Sequence, residues 1–505
     1  MKDPLKRLYG SACGRINRRT FLADSGLGFT GLVLGSMLQG DGIARAATTQ
    51  DWAAPDGKPH FPPKAKSVIW IFMLGGVSHV ESFDPKPALT KYGGKTIGET
   101  PHAAVLHSPL IQNRVNATME ERKLMQTLLP LQVGYRKRGQ CGVEISDWWP
   151  HFSECVDDVA FVRSTWTTDN DHGAQLQFHT GRQFFQGYYP SVGSWVHYGL
   201  GTLNENLPQF VVLGPMVATN CGGTAVVGGN YLGPEHSGVQ LAVDPENPLP
   251  FARPDRTMFR GEQKHEFEFV QKLNELNSVV YPDDAALRAR IKSYELAFRM
   301  QTAIPELFHF EEESKETRGM YGLDGKETKT FGQICLTARR LVERGVRFVQ
   351  VFHGGTGNDN NGWDAHSDLK ENHTKLTPMV DQPIAGLLKD LKQRGMLKDT
   401  LVVWATEFGR SPGVEVRAND AAFRGGRDHH PFGFTTWMAG AGIKPGVVHG
   451  ATDELGFHAV ENRHYVTDIH ATVLHQLGLD PRRLEVPGQK RLEIDFGAPI
   501  KEILA

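Results

Sequence analysis

Three short clusters in this chain carry side chains that hold metal ions, and each lies beside an apolar run. Asp364 and His366 sit in Trp363-Asp-Ala-His366. Glu407 and Arg410 sit in Thr406-Glu-Phe-Gly-Arg410. Asp428, His429 and His430 sit in Gly426-Arg-Asp-His-His-Pro431. Carboxylates and imidazoles together suit zinc, manganese or iron better than calcium, which prefers oxygen alone. Ligands drawn from separate strand ends hold one or two divalent ions, and two ions about 4 Å apart clamp the attacking and leaving oxygens of a phosphate or sulfate ester. Arg410 has the planar fork that takes an oxyanion in a bidentate contact. Any one cluster also reads as a surface loop or a strand-end ion pair. Their recurrence beside successive β-type runs favours a shared pocket. His179, Asp468 and His470 read instead as helix residues with satisfied partners.

The elements that must position these groups follow from periodicity. Ser67 to Leu74 is a continuous apolar run, which suits a central parallel strand buried on both faces, and it ends in Gly75-Gly76-Val77-Ser78-His79. A second strand is predicted over Val156 to Arg163, followed by Asp169-Asn170-Asp171-His172-Gly173, and a third over Phe210 to Leu213. Gln175 to His179 reads as one helical turn stopped by Gly181. Apolar positions 331, 334, 335, 338, 341 and 342 predict an amphipathic helix closed by Gly345, which feeds a strand at Arg347 to Phe352. A further helix with Ile384, Leu387, Leu388 and Leu391 closes at Gly395 and feeds a strand at Leu401 to Ala405. Such alternation is crossover grammar with a parallel sheet. The stretch Asp399 to Gly450 reads as two such strands with their polar ends in the site, and Tyr465 to Leu477 as a final helix. Residues 88–140 and 214–260 read as insertions, with a helical region from about Glu262 to Phe310 broken near Pro282.

Composition sets outer bounds. The 505 residues are 40% hydrophobic and 22% charged with a net charge of -2, which excludes a dominant nucleic-acid surface. The 21 histidines fall largely in clusters. Five cysteines include no Cys-x-x-Cys pair, which argues against a thiolate zinc site, while Cys141 and Cys155 are left as an open pairing. Asn17-Arg18-Arg19-Thr20-Phe21-Leu22, the apolar segment Gly26 to Leu38 and Ala44-Arg45-Ala46 read as a twin-arginine export signal. The expected division is a signal over 1–46, a linker over 47–66 and one domain over 67–498. The expected partner is the twin-arginine export machinery and the expected location periplasmic or extracellular, with no membrane-spanning segment in the mature chain.

Taken together, the twin-arginine signal, Gly75-Gly-Val-Ser-His79, Phe83-Asp-Pro-Lys-Pro87 and the three clusters above resemble the domain-of-unknown-function 1501 family, from about Val68 to Leu479. Those exported proteins are often labelled sulfatase-like, and the family is similar to a distant branch of the alkaline phosphatase and sulfatase superfamily. The resemblance implies an α/β fold, with a mostly parallel central sheet between helices and divalent metals at the strand ends. Glu407 then stands where the superfamily has a metal-binding Asp, and Phe408 where it has a His. Asp364 and His366 look like a second metal's ligands, and His429 or His430 like the late ligand. Departures accompany the match. Gly75-Gly76 follows the first strand in place of a metal-binding Asp, and Asp171 or His172 stands at the nucleophile position. Ser78 is the substitute nucleophile. The expected function is a metal-dependent hydrolase of sulfate or phosphate esters. The rival is a non-catalytic binding or structural protein that retains the fold.

Overall fold

The structure, a computed structural model, describes residues 54–108, 127–244, 259–280, 304–354, 361–415, 425–484 and 497–505, with 291, 295–296, 299–300 and 486. The chain divides into two compact units, 1–54 and 55–505. The export segment expected over 1–46 and the expected break near Pro282 lie outside the described residues.

A nine-stranded sheet runs through the second unit. Eleven of the unit's strands are, in chain order, β1 (Ser67–Met73), β2 (Val159–Trp166), β3 (Phe210–Leu213), β4 (Val239–Leu241), β5 (Phe348–His353), β6 (Thr400–Thr406), β7 (Gly409–Val414), β8 (Arg427–His430), β9 (Phe434–Ala439), β10 (Val447–His449) and β11 (His464–Tyr465). β7 and β8 form a separate antiparallel pair, and the sheet order is β10-β2-β9-β6-β1-β5-β3-β4 with β11 also on β2. β1 pairs in parallel with β5 and β6. Every residue of β1 is buried. Ile69, Ile71 and Met73 enter one core, shared with Ile334, Leu341, Ile384 and Leu388 from helices α3 (Lys329–Glu343) and α4 (Leu369–Gln393). Val68, Trp70 and Phe72 enter the other, shared with Phe178 from α1 (Ala174–Thr180), Val196 from α2 (Val192–Leu200) and Ile469 from α5 (Val466–Gln476). A strand with two helix-covered faces has no polar side, which is why its sequence is continuously apolar. Each such side chain contributes ~1.5–3 kcal/mol by leaving water, so Ile71→Ala costs about 2–5 kcal/mol.

The structure corrects four sequence expectations. The strand predicted over 156–163 begins at Val159, because Val156–Asp158 form a 3-10 turn. β9 does not extend the parallel set: it is antiparallel to both β6 and β2. Its beginning therefore lies at the carboxyl end of β6, while Gly440 packs beside Thr400 at the opposite end. The linker expected over 47–66 is docked in its described part, where the amides of His60, Lys64 and Ala65 donate to carbonyls of Gly478 and Gln476. Ile500 and Ile503, beyond the expected boundary at 498, are buried in the same core as α5. Cys141, Cys155, Cys221 and Cys335 are free thiols. Among the described residues no helix is long and apolar enough to cross a membrane.

Candidate metal centre

The centre is built where β1, β5 and β6 end. Gly75 and Gly76 turn the chain sharply off β1 at φ +116° and +86°. Only glycine adopts these angles without strain, and a Cβ at Gly76 would also strike the Phe408 ring. This tight turn lets the Gly75 amide donate to Glu407 Oε1 at 2.8 Å. The same oxygen accepts from Gln175 Nε2 at 2.9 Å and faces His172 Nδ1 at 3.1 Å. The other carboxylate oxygen accepts from Thr406 Oγ1 at 3.2 Å. Glu407 is thus occupied behind His172 and orients it, which corrects its expected role as a ligand.

Asp364 is the hub. Its Oδ2 faces His172 Nε2 at 3.1 Å, and its Oδ1 faces His429 Nε2 at 2.9 Å and His366 Nε2 at 2.9 Å. Burial alone would raise the Asp364 carboxyl, but the Arg410 guanidinium and these imidazoles outweigh it and hold it far below the usual range. His172 responds in kind. Burial would lower it, yet Asp364 and Glu407 push it up to about 9. His366 is likewise raised, by Asp364 on one side and Glu415 on the other. His429 is different: burial pushes it well below its ordinary value, against the pull of Asp364.

His429 provides the test of whether a cation fits. Its Nδ1 lies 3.0 Å from the Asn170 carbonyl, which only accepts, so the ring proton is on Nδ1. Nε2 then faces the Asp364 carboxylate at 2.9 Å. Two electron pairs in that position repel unless a proton or a cation lies between them. Two ligands about 2.1 Å from one ion sit roughly 3.0 Å apart at the right angles of octahedral coordination and roughly 3.4 Å apart in the tetrahedral coordination of zinc; the spacings here, 2.9 and 3.1 Å, match the first. The carbonyl contact is also how metal-bound imidazoles are usually fixed. His172, Asp364 and His429 offer ligand atoms that all lie within 4.8 Å of one another, and so do His366, Glu415 and Asp428. The residues present fit a divalent ion.

The β7–β8 hairpin decides which members of the Asp-His-His run take part. A register shift between Arg427 and His429 breaks the alternation at Asp428, so Asp428 and His429 both reach ligand clusters. His430 turns to the other side, where its ring stacks on Phe457 at 4.3 Å and lies 5.4 Å from His458. The structure therefore removes His430 from the expected ligand set. It also removes Ser78 as nucleophile: the hydroxyl is buried and donates to Glu81, which is paired with Arg427. Arg410 does not face a substrate. Its guanidinium donates to the carbonyls of Gly75, Gly76, Trp363 and Arg427 and to Asp364 Oδ1 at 2.8 Å, and it is fully buried. It pins Asp364 in place. Phe408 stacks on His429 at 4.2 Å and forms one wall. Sequence reasoning missed Glu415 and Gln175. Glu415 follows the strand Gly-Arg-Ser-Pro-Gly-Val, whose Pro and Gly disguise it as a loop.

The sequence matches the family described as protein of unknown function (DUF1501) over residues 65–504. The chain belongs to that family. No curated protein matches it. Among solved structures it is similar to the lipoteichoic acid synthase LtaP from Listeria monocytogenes, with 8% identity, 85% of this chain and 76% of that chain covered, and a TM-score of 0.36. It is also similar to a sulfatase from Pseudoalteromonas sp., with 12% identity, coverage of 89% and 72%, and a TM-score of 0.36. A TAB5 alkaline phosphatase mutant with bound Mg shows 11% identity, coverage of 83% and 99%, and a TM-score of 0.34. Likeness at this level carries no argument about activity. What this family member has in its own right is the α/β architecture and the cluster at its strand ends.

Proposed function

We propose that this DUF1501 protein is an exported metal-dependent hydrolase of sulfate or phosphate esters. His172, Asp364 and His429 hold one divalent ion of zinc, manganese or iron, and His366, Glu415 and Asp428 hold a second. The observation that carries this reading is the convergence of His429 Nε2 and His172 Nε2 on the Asp364 carboxylate while the Asn170 carbonyl takes the other ring nitrogen of His429. Such an ion would supply Lewis acidity toward an ester oxygen. The chain's own residues do the positioning. Glu407 fixes the His172 ring, the Asn170 carbonyl fixes the His429 tautomer, and Arg410 holds Asp364 against the turn at Gly75. Phe408 closes the centre beside His429. Elemental analysis of the mature protein tests the reading. Stoichiometric metal that falls in His172→Ala and Asp364→Ala variants, with cleavage of an aryl sulfate or phosphate lost in parallel, is the expected result. Absence of metal after reconstitution with zinc, manganese and iron would defeat it.

One observation favours a second reading, a binding protein without catalysis. The cation expected to steady the ester oxyanion, Arg410, is committed to backbone carbonyls and Asp364. Full metal occupancy with no cleavage of either ester class would select that reading. Export rests on the Arg18-Arg19 pair, and replacing both by Lys is expected to hold the protein in the cytoplasm, as read by fractionation.

A further inference from the structure

Two histidines outside the centre face each other nitrogen to nitrogen. His449 Nε2 and His464 Nε2 lie 2.9 Å apart. Both stand on the edge of β2 that β9 leaves free: His449 ends β10 opposite Val162, and His464 begins β11 opposite Thr165. Three residues of strand separate those positions, about 10 Å of backbone, and the two side chains close that gap. Between them the chain leaves the sheet. Residues 450–463 turn away at Gly450, with φ +69°, and pair Ala451–Thr452 with Ala459–Glu461 before returning. The two rings therefore clasp the base of this excursion. Its far end reaches His430, beside the centre in sequence: Phe457 stacks on that ring at 4.3 Å, and the Gly456 carbonyl lies 2.8 Å from His79 Nε2.

His464 is held from behind. Its Nδ1 faces Asp468 Oδ2 at 3.0 Å, and the other Asp468 oxygen accepts from the Ala498 amide at 2.8 Å. A carboxylate only accepts, so in the neutral ring the proton is assigned to Nδ1 and Nε2 is left to accept. A carboxylate behind an imidazole also fixes the ring and raises the basicity of the nitrogen in front, the arrangement found at metal-bound histidines. Facing that nitrogen is a second imidazole nitrogen, and one proton or one cation fits between the two. Two nitrogens about 2.1 Å from one ion lie roughly 3.0 Å apart at right angles and roughly 3.4 Å apart at the tetrahedral angle. The observed 2.9 Å matches the first. Right-angled nitrogen ligands suit a tetragonal ion, and copper(II) stands highest among the divalent first-row ions in affinity for them. Neither ring is sealed from water, His449 being 8% exposed and the His464 side chain 15%, so water can complete the coordination. We propose that His449 and His464 bind one copper(II) ion, at a site that shares no residue with the centre and that clips the base of the excursion 450–463.

The test titrates the chelator-stripped mature chain with copper(II) and follows it by electron paramagnetic resonance. Wild type is compared with His449→Gln, Asp468→Asn and His172→Ala. The expected result is that His449→Gln binds one equivalent fewer than wild type, and that the lost equivalent carries splitting from two imidazole nitrogens. His172→Ala, which disables the centre, keeps that equivalent. Asp468→Asn retains both rings and the equivalent, but with an affinity roughly 10–100-fold lower. Equal copper uptake by wild type and His449→Gln overturns the inference and identifies a pair that shares only a proton. Loss of the equivalent in His172→Ala also overturns it, by placing that copper in the centre. If His449→Gln does not fold, Asp468→Asn decides alone: the drop in affinity supports the site, and an unchanged affinity overturns it.

Discussion

Two sets of histidines in this molecule behave in opposite ways. His179, His353, His373 and His470 sit among aromatic side chains. The His179 ring lies 4.5 Å from Phe72 and 5.5 Å from Phe352, and its Nδ1 donates to the Gln175 carbonyl. His353 Nδ1 accepts from Trp363 Nε1 at 3.0 Å, and His373 Nε2 accepts from the Ser78 amide at 3.2 Å. Burial pushes His179, His353 and His373 down to about 3 and His470 to about 4. His172 and His366 are only partly buried, with 13% and 20% of their side chains exposed, and they are raised, because each ring nitrogen faces a carboxylate. Burial pushes the imidazole down in both sets. What lies opposite the second ring nitrogen sets the sign: an aromatic ring or a neutral hydrogen-bonding group in one, a carboxylate in the other. A high histidine count therefore says little about metal binding until the partner of each nitrogen is known.

The contrast breaks most completely at Asp364. Asp364→Asn is expected to cut metal affinity by at least about a hundredfold, beyond the usual effect of an outer partner. It also leaves the buried Arg410 charge without its carboxylate, at about 3–5 kcal/mol of stability. Metal titration and thermal unfolding read the two effects separately. Glu407→Gln is next. Removing the carboxylate behind His172 should weaken metal binding by roughly 10–100-fold while leaving the ligand set intact, as a competition titration with a chelator would show.

The aromatic set has its own signature in pH. His179 takes a proton near 6.5 in the unfolded chain but only near 3 in the folded one. Below pH 6.5 the unfolded state therefore binds the extra proton, and stability falls as pH falls toward 3. From pH 8 to pH 5 this one group should cost about 2 kcal/mol. Denaturant unfolding of His179→Phe at both pH values should show a pH-dependent loss smaller by that amount. The smallest effect is expected at His430, which is next to a ligand in sequence but outside the centre in space. His430→Phe should leave metal content unchanged and shift stability by less than about 1.5 kcal/mol. A drop in metal content would show that the Asp-His-His run is used differently from the geometry described here.

Much of the fold was legible in the chain. β1, β3, β6 and the helix over 329–343 carry patterns that only one environment satisfies: continuous apolar runs for strands covered on both faces, and a 3.6-residue stripe for a helix on one face. Asp364, His366 and His429 were legible as metal-type residues beside strand ends. The direction of β9 was not legible, because an apolar strand reads the same in either sense, and hydrogen bonding with β6 and β2 decides it. Nor was the β7–β8 hairpin. Its Gly and Pro residues suggest a loop, and only pairing shows that a bulge sends Asp428 and His429 one way and His430 the other.

The sequence by itself determined the material: which segments must be buried, where the chain turns, and which residues can bind a cation. Those properties are local, set by side-chain type and spacing. Tertiary structure alone decided the roles. Glu407 became a support for His172, Arg410 a clamp on Asp364, and Ser78 a partner of Glu81. Each role depends on a partner far away in the chain, 235 residues between His172 and Glu407. A carboxylate or guanidinium is assigned its function by whichever group the fold brings to within about 3 Å of it.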